Sequence, residues 1–155
     1  MQIALAGEAL IDFTGTGPLA FQGHAGGGVF NSAIACARLG PPTAFITQLS
    51  HAEWVLEVPR QVVQRNGGDT QYVLRSPAPS TLAFVERTPT SNRYAFYRQG
   101  SADTLWSPAL LPGLPASCRF LLFGSIALLQ EPAAGRITAL VEAEHGRRVL
   151  VFDPN

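Results

Sequence analysis

The residues best suited to chemistry gather around three consecutive glycines. Asp12 closes an apolar run, Gly26-Gly27-Gly28 forms a turn, and Asn31 stands in the first turn of the helix that follows. Glycine lets a backbone turn sharply and approach a ligand closely. A helix start offers free N–H groups, and the Asn31 side chain can meet the same ligand there. The carboxylate of Asp12 can accept hydrogen bonds from the hydroxyls of a polar ligand, or it can cap the turn at Thr14. A glycine run before a small-residue helix also serves plain strand-to-helix packing. A second group lies further on: strand alternation puts Tyr94, Phe96 and Arg98 on one face. Rings cover the C–H patches of a polyol or acidic sugar, and a guanidinium donates in a fork. An ordinary half-buried hairpin with an exposed arginine has the same pattern.

Several chemistries are disfavoured. A Walker phosphate loop needs a lysine after its glycines, and all 11 basic residues here are arginine. The turn does not fit Gly-x-Gly-x-x-Gly, which argues against a dinucleotide site. His24, His51 and His145 are scattered without metal spacing, so no metal site is predicted. Cys36 and Cys118 also lack metal spacing and are expected to be reduced thiols in a cytoplasmic protein. Asp103 reads equally as a turn cap or as a site residue.

Eleven acids balance the 11 arginines, leaving no basic field for nucleic acid. With 46% apolar and 14% charged residues, the 155-residue chain has the composition of a folded domain with a core. Its longest apolar run, Phe120 to Leu129, is far short of the ~20 residues that span a bilayer. No basic region precedes an apolar stretch at the start, so neither a signal peptide nor a membrane partner is expected.

The elements that position these residues follow from periodicity and punctuation. Residues 2–6 form a strand that 7–13 extend, ending in the turn Thr14 to Pro18. A helix runs from Phe30 or Asn31 to Leu39 and is closed by Gly40-Pro41-Pro42. Thr43 to Leu49 is a core strand. Ser50 and Glu53 make a capping box for a helix that Pro59 kinks or restarts, ending at Asn66-Gly67-Gly68. Short strands follow at 72–74, 80–86 and 93–98, the last two joined by a hairpin loop at 88–92. Arg119 to Phe123 and Val149 to Phe152 are buried strands flanking a helix that Pro132 opens and His145-Gly146 closes. Such a βαβ unit builds a parallel sheet, whose ligands gather at the carboxyl ends of the strands. Asp12, the glycine turn, Gly124-Ser125 and Asp153 to Asn155 all belong to that rim.

Gly7-Glu8-Ala9-Leu10-Ile11-Asp12, the glycine turn with Asn31, and Ala37-Arg38-Leu39-Gly40 resemble the ribokinase-like (PfkB) carbohydrate kinases. Thr81 to Val85, Phe96 to Asp103, Phe123 to Leu128 and Asp153-Pro154-Asn155 sharpen the likeness toward the fructokinase and 2-keto-3-deoxygluconate kinase branch. The likeness covers essentially the whole chain in order. It implies an α/β fold, a three-layer α/β/α sandwich with a small β-sheet lid drawn from about 12–24 and 70–98. The lid closes over a sugar and forms a dimer contact in the family. By position, Asp12, Gly26, Gly27 and Asn31 match sugar-binding residues, Arg98 a lid arginine that reaches the substrate, and Phe96 an aromatic lining the site. Val29 departs from a small residue or proline, and Ser50 to Val55 depart from Gly-Asp-Asp before Phe-Gly.

ATP and Mg²⁺ are the cofactors that the resemblance implies. The family's Gly-x-Gly-Asp motif, which carries the general base, and its ATP and magnesium segments lie downstream of anything in these 155 residues. Phosphoryl transfer rests on positioning and charge stabilisation. The expectation is thus the N-terminal, sugar-binding half of one kinase domain, truncated before the ATP-binding half. No catalytic residue is assigned within it, and it is expected to be inactive alone. A non-catalytic sugar-binding or regulatory module derived from the same fold is the alternative. An unrelated nucleotide-binding α/β enzyme is a third reading.

Overall fold

Strand β1 (Ile3–Ala6) sets the layering of the molecule by alternation: Ala4 and Ala6 face one apolar cluster and Leu5 faces another. The computed structural model describes residues 1–51, 53–88, 90–107 and 113–155, with the side chains of 53–57 and 87 outside the description. In chain order the further elements are β2 (Leu10–Gly17), β3 (Ala20–Gly26), α1 (Gly28–Arg38), β4 (Thr43–Ser50), α2 (Glu53–Arg65), β5 (Val73–Ser76), β6 (Leu82–Arg87) and β7 (Asn92–Tyr97). They are followed by β8 (Phe120–Gly124), a 3₁₀ helix (Ser125–Leu129), α3 (Ala133–Glu144) and β9 (Val149–Asp153).

Two sheets result. The larger has the order β5-β4-β1-β8-β9 and is parallel throughout. The smaller has the order β3-β2-β6-β7, with β2 and β6 parallel and the outer pairs antiparallel. On one face of the large sheet, Leu5, Phe45 and Leu49 pack with Val29, Phe30, Ala33 and Ile34 of α1 and Val63 of α2. On the other, Ala4, Ala6, Ala44 and Leu121 pack with Ala133 and Ile137 of α3 and with Trp106. This is the three-layer sandwich with a small sheet that the family likeness implies.

Several expectations shift in detail. The run from residue 2 to residue 13 is two strands, because Gly7–Ala9 carries the chain from the large sheet into the small one. β2 then continues to Gly17 with a bulge between Gly15 and Gly17, since its partner β3 satisfies the backbone that was expected to turn. Within the 70–98 segment, β5 pairs with β4 in the large sheet, so the small sheet takes only Leu82–Arg87 and Asn92–Tyr97 from it. Helix α1 starts at Gly28, and β4 runs on through Ser50. The Ser50–Glu53 capping box falls on a side chain outside the described residues. Helix α2 is one element with Pro59 inside it, held to the core through Val63. The segment after Gly124 is a 3₁₀ helix rather than a simple turn.

Val29 has a packing reason. A Cβ built on Gly7 would lie 2.5 Å from Val29 Cγ2, so the valine occupies the space that the glycine leaves free. Gly7→Ala is expected to destabilise the chain by about 1–3 kcal/mol through overpacking. Val29→Ala in the same chain should return part of that loss. Urea midpoints of the two single variants and the double variant measure the coupling, and strict additivity would rule the contact out.

Candidate functional site

The glycine turn joins the small sheet to the helical layer at the carboxyl end of β1, and three side-chain-free positions are needed for three different reasons. A Cβ on Gly26 would stand 2.0 Å from Asp12 Oδ2. Gly27 has φ +120°, a conformation that side-chain-bearing residues rarely adopt, and its Cβ would meet the Glu8 carbonyl oxygen at 2.9 Å. A Cβ on Gly28 would lie 2.8 Å from Ser125 Oγ and 3.2 Å from Asn155 Nδ2. The turn is thus packed against β2, against the β1–β2 link and against the 3₁₀ helix at once.

Around it opens a cleft of about 410 Å³ between the rim of the large sheet and the small sheet. Asp12, Gly27, Asn31 and Phe96 all line it, together with Tyr94 and Ile126. The sequence-predicted residues 12, 27, 31 and 96 therefore converge on one cavity although they come from β2, the glycine turn, α1 and β7. Gly26 is buried and does not line the cleft; its role is to leave room for the Asp12 carboxylate. Tyr94 and Phe96 stack with their ring centroids 5.7 Å apart and present an apolar wall. Burial raises the Asp12 pKa above its ordinary 3.8, and the charge of His24, its cross-strand neighbour, opposes that rise.

Arg98 stands outside this lining. Its Nη1 donates to the Ile126 carbonyl at 2.7 Å, and Nη2 lies 3.9 Å from Asp103 Oδ2. It holds the 3₁₀ helix that forms one side of the cleft. Asp103 is a buried acceptor for the hydroxyls of Thr81 (2.5 Å) and Ser101 (2.7 Å), which favours the structural reading of that residue. Among the described residues, no cluster of three or more His, Cys, Asp or Glu side chains is arranged to hold a metal ion. No helix of the described residues is long and apolar enough to cross a membrane.

No family model matches the chain. The fructokinase of Rhizobium leguminosarum bv. trifolii is 38% identical over 157 residues, covering 99% of this chain and 48% of that protein. Fructokinase-2 of Solanum lycopersicum is 34% identical over 161 residues, covering 96% of this chain and 48% of that protein. Among solved structures, the fructokinase of Xylella fastidiosa superposes with a TM-score of 0.86 at 25% identity, covering 99% of this chain and 50% of that one. A sugar kinase from Pyrococcus horikoshii superposes with a TM-score of 0.89 at 22% identity, covering 99% of this chain and 55% of that one. The chain is a relative of the fructokinases with the ribokinase-like fold. It spans about half the length of the curated relatives it matches.

In this fructokinase relative, one residue of the cleft escaped the sequence reading. Glu8 is fully buried, and its Oε1 accepts from the N–H groups of Gly28 (2.7 Å) and Val29 (3.4 Å). Its Oε2 makes no hydrogen bond of good geometry, and Ser125 acts on the carboxylate from its flank. Burial raises the Glu8 pKa above its ordinary 4.5, against the pull of its own N–H, of Ser125 and of the two helix N–H groups. The available signal was a lone acid inside the apolar run from Gln2 to Ile11, where an ionisable group must find partners.

The raised pKa has a definite consequence for stability. The folded state holds the Glu8 proton more tightly than the unfolded chain, so this residue's contribution is fully present below pH 4.5 and is lost as pH rises through the folded value. In Glu8→Gln that decline should be absent. Urea denaturation of both chains across a pH series measures it, and parallel curves above pH 4.5 would contradict the assignment.

Proposed function

We propose that these 155 residues are the sugar-holding half of an ATP-dependent, fructokinase-like kinase that phosphorylates a hydroxyl of fructose or a closely related sugar. The observation that carries this reading is the convergence of Asp12, Gly27 and Asn31 with the Tyr94–Phe96 wall on one cleft. An ionised Asp12 accepts from two sugar hydroxyls, the Asn31 amide both donates and accepts, and the rings cover the C–H face of the sugar. Fixing the sugar this way lets binding energy offset part of the entropic cost of the reaction in advance.

A neutral sugar fits better than a sugar acid. Among the described residues no arginine lines the cleft, and Arg98 is engaged with Ile126 and Asp103. A substrate carboxylate would face Asp12 without a counter-charge. ATP, Mg²⁺ and the general base are assigned to the portion of the relatives' length that this chain does not span. In this reading the part of these residues is to bind and orient the sugar, in a cytoplasmic enzyme.

The same reading gives the outer face of the small sheet to a second copy of the chain. Phe84 there packs with Phe13, Phe21 and Tyr97, and the last two rings are 46% and 65% exposed, too open for a face that stays in water. Sedimentation of the chain should show a dimer that Phe21→Ser with Tyr97→Ser dissociates; an unchanged monomer in both would remove the contact.

Calorimetric titration with D-fructose should give saturable binding that Asp12→Asn weakens about tenfold or more. 2-Keto-3-deoxygluconate should bind less well. No sugar phosphate should form with ATP and Mg²⁺ present. Absence of fructose binding would overturn the sugar assignment, and turnover by the 155 residues would overturn the division of labour.

A further inference from the structure

We infer that Glu8 is a positioning residue of the sugar cleft, clamping the start of helix α1 so that Gly27 and Asn31 meet the ligand in a fixed geometry. The inference rests on the sugar-binding reading of the cleft for its functional meaning, and on the hydrogen bonds of Glu8 for its physics.

A helix start leaves its first N–H groups without partners in the helix, and a side chain at the N-cap position commonly satisfies one. Here the N-cap is Gly27, which has no side chain to offer. Any larger residue would strain the backbone at φ +120° and drive a Cβ against the Glu8 carbonyl oxygen. The cap is therefore supplied from another element. Glu8 Oε1 takes the N–H groups of Gly28 and Val29, the first two residues of α1. The open side of the helix start is left facing the cleft that Gly27, Gly28 and Asn31 line.

The position of Glu8 in the chain gives the clamp its reach. It lies in Gly7–Ala9, the link between β1 of the large sheet and β2 of the small one, two elements that take opposite sides of the cleft. Asp12 follows on β2, four residues later. One buried side chain thus ties the strand that carries Asp12 to the helix that carries Asn31. Ser125, which has φ 60° and whose Oγ lies within hydrogen-bond distance of Asn155 Nδ2 (3.1 Å), fills the space where a Gly28 side chain would stand. A non-glycine residue in the left-handed region persists only where its surroundings over-determine it, which fits a packed support for the turn. The Asn31 N–H then bonds the Gly27 carbonyl at 2.9 Å, so the first helical turn inherits the placement of the clamp.

A residue that only filled space would affect the whole molecule when altered, whereas a clamp acts on the helix start and on the ligand. The test uses the ¹⁵N-labelled 155-residue chain with D-fructose as the probe, comparing Glu8→Ala, Glu8→Gln and Glu8→Asp. Glu8→Ala should lower the exchange protection of the Gly28 and Val29 amides about tenfold or more and weaken fructose binding by a similar factor. The amides of Phe45 and Leu121, inside the large sheet, should keep theirs. Glu8→Gln retains an oxygen acceptor and should recover most of both losses. If Glu8→Ala does not fold, Glu8→Asp, which withdraws the carboxylate by one methylene, takes its place with the same expectations. Unchanged Gly28 and Val29 exchange, or an equal loss at all four amides, would overturn the clamp. Loss of protection at Gly28 and Val29 without loss of fructose affinity would overturn its positioning role. A wild-type chain that binds no fructose would sink the sugar reading and with it the positioning role, while the exchange data would still decide whether the clamp exists.

Discussion

Everything in the described structure depends on how closely the backbone at Gly26–Gly28 is approached. Three structures meet there: the Asp12 carboxylate from the small sheet, the Glu8 backbone and side chain from the inter-sheet link, and Ser125 with Asn155 from the carboxyl ends of β8 and β9. A β-carbon at Gly26 or Gly28 would force the Asp12, Ser125 or Asn155 side chain to shift, and one at Gly27 would meet the Glu8 backbone. A single substitution would move a carboxylate, a helix start or a rim residue, and each of those borders the same cleft.

The large sheet tolerates this demand because its core is built asymmetrically. On the α3 face β1 and β4 offer mainly small residues, Ala4, Ala6 and Ala44, and on the α1 face they offer Leu5 and Phe45. Large rings such as Phe30 and Phe45, in edge-to-face contact at 5.9 Å, thereby seat α1 firmly against the strands. Burying a side chain of that size stabilises by about 1.5–3 kcal/mol. An exposed pair such as Glu86–Arg93 contributes about 0–1 kcal/mol. The apolar seating of α1, rather than surface charge, therefore fixes where its first turn lies.

Three of the arginines bind backbone carbonyls. Arg98 donates to the Ile126 carbonyl, Arg136 to the carbonyls of Leu105 and Trp106, and Arg148 to those of Leu114, Pro115 and Cys118 while pairing with Glu144. A guanidinium has five donors in a fixed plane and can hold several carbonyls of one loop at once, which an ammonium on a flexible stem does less well. These arginines tie irregular segments to helices and strands.

Local rules in the sequence sufficed for the elements whose reasons are local. Apolar runs marked β4 and β8, alternation marked β7, and glycine and proline marked both ends of α1, because each signal lies within a few residues of the feature it determines. The rim of a parallel sheet already gathered Asp12, the glycine turn and Asn31; that Phe96 joins them in one cleft was legible only through the family likeness, since no spacing rule connects β7 to β2 and α1. Tertiary structure alone decided the rest. The partition of residues 2–17 between two sheets depends on strand partners tens of residues away, as does the assignment of residues 73–76 to the large sheet. The cap on α1 comes from Glu8, twenty residues before the helix, and Arg98 turns to a backbone carbonyl at Ile126 instead of the cleft. Hydrogen bonds of this kind are set by which surfaces pack together, and a one-dimensional pattern carries no record of that distance.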